Sequence, residues 1–110
     1  MQREVEIQKA ILDYLKAHGI CHWRVCLAAI PGGGGKFFRK NPMRGHPDIA
    51  GVLKSGRYFT VEVKRPRRAS WSEDQLTWQA KLKDHGVLYI VATCVDDVAR
   101  ALYDATKQSA

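Results

Sequence analysis

The chain is poor in everything that would tie it to an oxidising compartment or a membrane. Cys21, Cys26 and Cys94 are its only cysteines, an odd number with no C-x-x-C pair, which argues against a disulfide framework and fits a reduced, cytoplasmic setting. His18, His22, His46 and His85 lack zinc-ligand spacing to one another or to the cysteines, so no zinc site is expected. No apolar run is long enough to cross a bilayer, and no apolar segment follows the charged N-terminus as a secretory signal would require. Internal repeats are absent, which excludes solenoids and propellers. Low complexity is confined to Gly32–Gly35, too short for an interdomain linker but suited to a mobile loop. That loop is no ATP cradle, because G-x-x-x-x-G-K-[ST] would need glycine at Ile30 and Ser or Thr at Phe37. Acidic residues are also scarce. Eleven Asp and Glu stand against 18 Lys and Arg, giving a net charge of +7 and favouring a polyanionic partner such as nucleic acid.

What is present reads as one domain over residues 1–110: the length suits a single core, and 45% hydrophobic with 26% charged residues is an ordinary globular composition. Ile7, Ile11, Tyr14 and Leu15 recur at helical spacing between Glu4 and His18, and Gly19 stands where a left-handed cap belongs. Residues 20–30 alternate, with Cys21, Trp23, Val25, Leu27 and Ala29 on one side, and Pro31 is expected to end that strand. A basic loop follows. Asp48–Leu53 and Arg57–Lys64 read as a hairpin turning at Ser55-Gly56, the second strand placing Phe59, Val61 and Val63 on one face and Tyr58, Thr60, Glu62 and Lys64 on the other. Ser72 opens a helix over about 73–85 that Gly86 terminates. Val87–Ala92, a continuous apolar run, predicts a strand covered on both faces, and a last helix spans about 96–107. The order αβββαβα implies an α/β fold with a mixed sheet flanked by helices.

The chemistry gathers on the hairpin. Glu62 and Lys64, two apart on one strand, emerge on one face about 7 Å apart. A short hairpin brings Asp48 beside Glu62, offering two carboxylates to one hard cation, Mg2+ or Mn2+. Close carboxylates repel unless a cation lies between them, so such a pair on a half-buried face costs stability and points to function. With carboxylates beside it, Lys64 is assigned an electrostatic or water-orienting role before that of general base. Glu-x-Lys by itself is commonly an exposed charge pair. The wider pattern Gly45-His46-Pro47-Asp48, a hairpin-length gap and Val61-Glu62-Val63-Lys64 is more specific.

That pattern resembles the PD-(D/E)XK nuclease superfamily, in Pro47-Asp48 and Glu62-Val63-Lys64. Over nearly the whole chain it is similar to the stand-alone VRR-NUC domains of phages and bacteria, which share a first helix with Glu and Gln, Gly-x-Pro-Asp, Glu-Val-Lys, Ser-x-x-Gln and an apolar strand. No Val-Arg-Arg tripeptide stands in the expected register. The resemblance implies a restriction-endonuclease-like core, a divalent metal bound by Asp48, Glu62 and the Val63 carbonyl, and hydrolysis of DNA. It also implies a homodimer acting on branched DNA such as four-way junctions, in a bacterial or phage-infected cytoplasm.

Supporting residues carry two readings each. On a helical wheel Glu4 falls toward the apolar side, where the family's first-helix acid would hold a water, whereas a frayed helix start would leave it in solvent; Glu6 is the fallback. Gln75 follows Ser72 at the capping-box interval, and a second role at the active site would require its side chain to switch partners. Lys36, Arg39, Lys40, Arg44, Arg65, Arg67, Arg68 and Trp71 are expected along a phosphate backbone, against the alternative of simple solvated charge. His46 is expected only to shape its turn. Two other functions fit the same fold: a nucleic-acid-binding module without catalysis, or an oligomerisation domain anchored by exposed Trp71 and Trp78.

Overall fold

The computed structural model describes residues 3–28, 30–31, 38–39, 41–67 and 69–108. Its elements are α1 (Glu4–Ala17), β1 (Cys21–Arg24), β2 (Ile30–Pro31), β3 (Phe38–Arg39), β4 (Ile49–Val52), β5 (Tyr58–Val63), α2 (Glu73–Asp84), β6 (Leu88–Ala92) and α3 (Val95–Gln108). A four-stranded sheet runs β1-β4-β5-β6, while β2 and β3 form a separate two-stranded ribbon. β1, β4 and β5 pair antiparallel. β6 joins β5 in parallel, because the chain returns through α2 before laying it down. None of the described helices is long and apolar enough to cross a membrane.

Packing holds α1 in place more than its ends do. Arg3 gives no side-chain cap, yet Ile7, Ile11 and Leu15, each one turn apart, form a stripe that is essentially inaccessible, each burial contributing about 1.5–3 kcal/mol. The stripe meets Val98 and Leu102 of α3 and the inward side chains of Ile49, Phe59, Val61, Val63, Ile90 and Ala92. Gly19 takes φ 65°, and the Ile20 amide bonds back to the Leu15 carbonyl at 3.0 Å, the left-handed closure that its sequence position implies.

Three expectations change. The strand expected over 20–30 pairs regularly only through Cys21–Arg24, and Pro31 pairs with Phe38 instead of ending it. β1 is an edge strand, α2 packs against β6 at the other edge, and Trp23 is 44% exposed with its ring 6.2 Å from that of Tyr58. β6 is not covered on both faces either, since as the opposite edge it leaves Val91 40% exposed. A continuous apolar run reports low polarity but not two-sided burial.

The turn at 41–47 is clamped onto α2. Gly45 has φ 90°, and a Cβ there would lie 2.5–2.7 Å from the Asp74 backbone and Cβ. Gly45→Ala is therefore expected to lower stability by about 2–3 kcal/mol, read as a drop in urea midpoint at unchanged slope.

Candidate active site

The sheet register assembles the acidic pair. Ile49 is opposite Val61, so one further step sets Asp48 opposite Glu62, and directly opposed residues share a face. Asp48 is fixed twice: its carbonyl accepts from the Val25 amide at 2.9 Å, and its Oδ2 accepts from the Val63 amide at 3.0 Å. A strand residue sends its N–H and C=O to the same edge. The Val63 carbonyl thus emerges beside Asp48, while the Lys64 amide turns to the other edge and donates to Ala92 O at 2.9 Å.

Glu62 is only 2% exposed. Its Oε1 accepts from Gln75 Nε2 at 2.8 Å and lies 3.4 Å from Lys64 Nζ, whereas its buried Oε2 has no hydrogen-bond partner among the described residues. Burial, then the neighbouring charge of Asp48, pushes Glu62 up to about 7, although Lys64 pulls it down. Asp48 is raised as well, by burial first and by Glu4, against the lowering effects of the Val63 amide and Lys64. Lys64 is 4% exposed. Its ammonium donates to the Ser70 carbonyl and, at 2.9 Å, to Gln75 Oε1, and it lies 4.5 Å from the centroid of the Trp71 ring.

Gln75 joins these parts. Ser72 caps α2 through a full capping box, Gln75 N donating to Ser72 Oγ and Gln75 Oε1 accepting from the Ser72 amide at 3.0 Å. The same Oε1 takes Lys64 while Nε2 reaches Glu62. No switching of partners is needed, because a primary amide offers two lone pairs on oxygen and two N–H groups at once. Gln75→Leu is expected to cost about 2 kcal/mol by thermal unfolding, since it removes half the capping box and leaves Glu62 and Lys64 each short of a buried partner.

The remaining expected residues divide. Glu4 is exposed, not core-facing as the wheel places it, because it opens α1 at the domain surface. Its charge nonetheless bears on Asp48 and Glu62, while Glu6 pairs with Arg3 at 3.3 Å. Arg44 and Arg67 are exposed, and Arg65 is half-buried. Arg44 Nε is 3.8 Å from Asp74 Oδ2. Arg39 lies in β3; Lys36, Lys40 and Arg68 fall outside the described residues. Neither tryptophan is a free anchor: Trp71 is half-buried against Lys64, and Trp78 donates to the Arg44 carbonyl at 3.1 Å with His46 edge-on at 5.0 Å. His46 is buried and bonds Pro47 O at 2.8 Å, the turn-shaping role expected of it. Tyr89 and Ser70 went unnoticed in the sequence. Tyr89 Oη is buried without a hydrogen-bond partner among the described residues, and its only sequence signal is a hydroxyl inside an apolar run.

Two carboxylates and a main-chain carbonyl are a hard oxygen donor set, and Glu62 Oε2, without a hydrogen-bond partner among the described residues, has lone pairs to offer; the residues present fit a divalent cation. No cluster of three or more His, Cys, Asp and Glu side chains suited to a metal occurs among the described residues. A cavity of about 670 Å³ lies at the far end of the sheet, lined by Tyr14, Ile20, Val52, Leu102 and Tyr103 among others, away from the carboxylates.

A mixed sheet that carries Pro-Asp at the start of one strand and Glu-x-Lys on the next, with a helix over that face, is the core of the PD-(D/E)XK nuclease superfamily. Within it, the family model of the VRR-NUC domain matches residues 3–96, and the chain belongs to that family. A solved structure described as a VRR_NUC domain superposes with a TM-score of 0.64 at 20% identity, covering 94% of this chain and 97% of that one. Its likeness shows the restriction-endonuclease-like fold. Among curated proteins no sequence match is found.

Proposed function

We propose that the protein is a divalent-metal-dependent endonuclease that hydrolyses phosphodiester bonds in DNA, acting as a homodimer on branched substrates such as four-way junctions. The observation that carries this reading is the buried Glu62 beside Asp48 with one oxygen left over, an arrangement that repels itself unless a cation is held there. Asp48, Glu62 and the Val63 carbonyl would hold Mg2+ or Mn2+. When bound, such an ion supplies Lewis-acid neutralisation of the scissile phosphate and activation of water. Lys64, fixed by Ser70 and Gln75, orients the attacking water and stabilises negative charge developing at phosphorus. Glu4 holds that water from the open side. Attack at phosphorus breaks one P–O ester bond and yields a phosphate monoester and a free hydroxyl. Arg39, Arg44, Arg65, Arg67, Arg68, Lys36, Lys40 and Trp71 follow the backbone, and the net charge of +7 favours the encounter.

The test incubates linear, flapped and four-way-junction DNA with the protein in Mg2+, Mn2+ or chelator. Cleavage that needs metal, is fastest on the junction and disappears in Asp48→Asn supports the proposal. Tight DNA binding with no cleavage in either metal would instead assign a binding module.

A further inference from the structure

Three buried side-chain atoms take no hydrogen bond among the described residues: Thr60 Oγ1, Glu62 Oε2 and Tyr89 Oη. They share one sheet face. Thr60 and Glu62 are two apart on β5 and emerge on the same side, and Tyr89 is the lateral partner of Thr60 in the parallel register. Tyr89 therefore stands beside Thr60, one step behind Glu62, with Lys83 Nζ 5.8 Å from its ring centroid on the side of α2. Its hydroxyl is held protonated by burial and then by the charges of Glu62 and Asp48, so it is available as a donor. Native folds seldom leave even one such atom orphaned, and here two hydroxyls and a carboxylate oxygen on one sheet face are left so. One buried water commonly makes about three hydrogen bonds, as many as these groups leave open.

We propose that Tyr89 is a positioning residue: with Thr60 it binds a structural water that hydrogen-bonds Glu62 Oε2 and fixes the orientation in which this carboxylate meets a divalent cation. The inference rests on the metal-dependent reading above. Groups that orient a ligand from behind change metal affinity about 10–100-fold when removed.

The test measures Mn2+ binding by electron paramagnetic resonance for the parent, Tyr89→Phe, Thr60→Val and Asp48→Asn, with unfolding curves for each. The expected result is about tenfold weaker Mn2+ binding in Tyr89→Phe and in Thr60→Val, with native folds retained and cleavage by both recovered as Mn2+ is raised. Mn2+ affinity within twofold of the parent in both would overturn the inference and leave the nuclease reading standing, because a merely structural hydroxyl would move the unfolding curve alone. Should Tyr89→Phe fail to fold, Thr60→Val decides. A parent that binds no Mn2+, with Asp48→Asn indistinguishable from it, would remove the metal-dependent reading and this inference together.

Discussion

Glu62→Gln is expected to reduce DNA cleavage on the order of 10³-fold while making the metal-free protein more stable at pH 8 by up to about 3 kcal/mol. The two effects have one origin. In the native fold the carboxyl is raised to about 7, chiefly by burial and then by Asp48, whereas in the unfolded chain it returns to the ordinary glutamate range. The stability associated with its protonated form is fully present below that range, is lost as pH climbs toward 7, and is gone above it. Asp48, raised for similar reasons, adds to the loss in the same direction. Urea unfolding in chelator should show the parent weakening from pH 5 to pH 8 and Glu62→Gln much less. Added Mg2+ or Mn2+ should restore the parent at pH 8 and leave the variant unchanged.

Lys64→Met should do the opposite to stability and the same to activity. The ammonium is buried and lowers both Asp48 and Glu62. Removing it leaves the buried Glu62 and half-buried Asp48 carboxylates with less compensation, a change that costs about 3–5 kcal/mol. Gln75 and the Ser70 carbonyl also lose their shared donor. Cleavage should fall on the order of 10³-fold. The decline in stability between pH 5 and pH 8 should become steeper than in the parent, because Glu62 is then raised further. Opposite stability changes at two residues 3.4 Å apart, with equal losses of activity, would not arise if the pair were an ordinary structural ion pair, since breaking such a pair from either side destabilises.

The hairpin was legible because its signals are local. The strict alternation from Arg57 to Lys64, the Ser55-Gly56 turn and Pro47-Asp48 set the register that puts Asp48 across from Glu62. Gln75 was half legible: the capping box follows from its spacing to Ser72, but its bonds to Glu62 and Lys64 depend on where α2 crosses the sheet. Tyr89 was hidden for the same reason, since a parallel partner reached through a helix leaves no short-range trace of its register. The exposure of Val91 was not legible, because apolarity does not reveal which strands lie at the edges. The two-residue ribbon of β2 and β3 is too short to carry a period. Glu4 stands exposed at the start of α1, which a helical wheel, blind to the position of helix ends, does not show.

The most direct measurement is anomalous diffraction from crystals grown with Mn2+. The expected result is a peak roughly 2.0–2.3 Å from carboxylate oxygens of both Asp48 and Glu62 and from the Val63 carbonyl, absent from Asp48→Asn crystals. A peak elsewhere on the protein, or none at saturating Mn2+ with the two carboxylates still facing each other, would contradict the proposal that this pair exists to hold a cation.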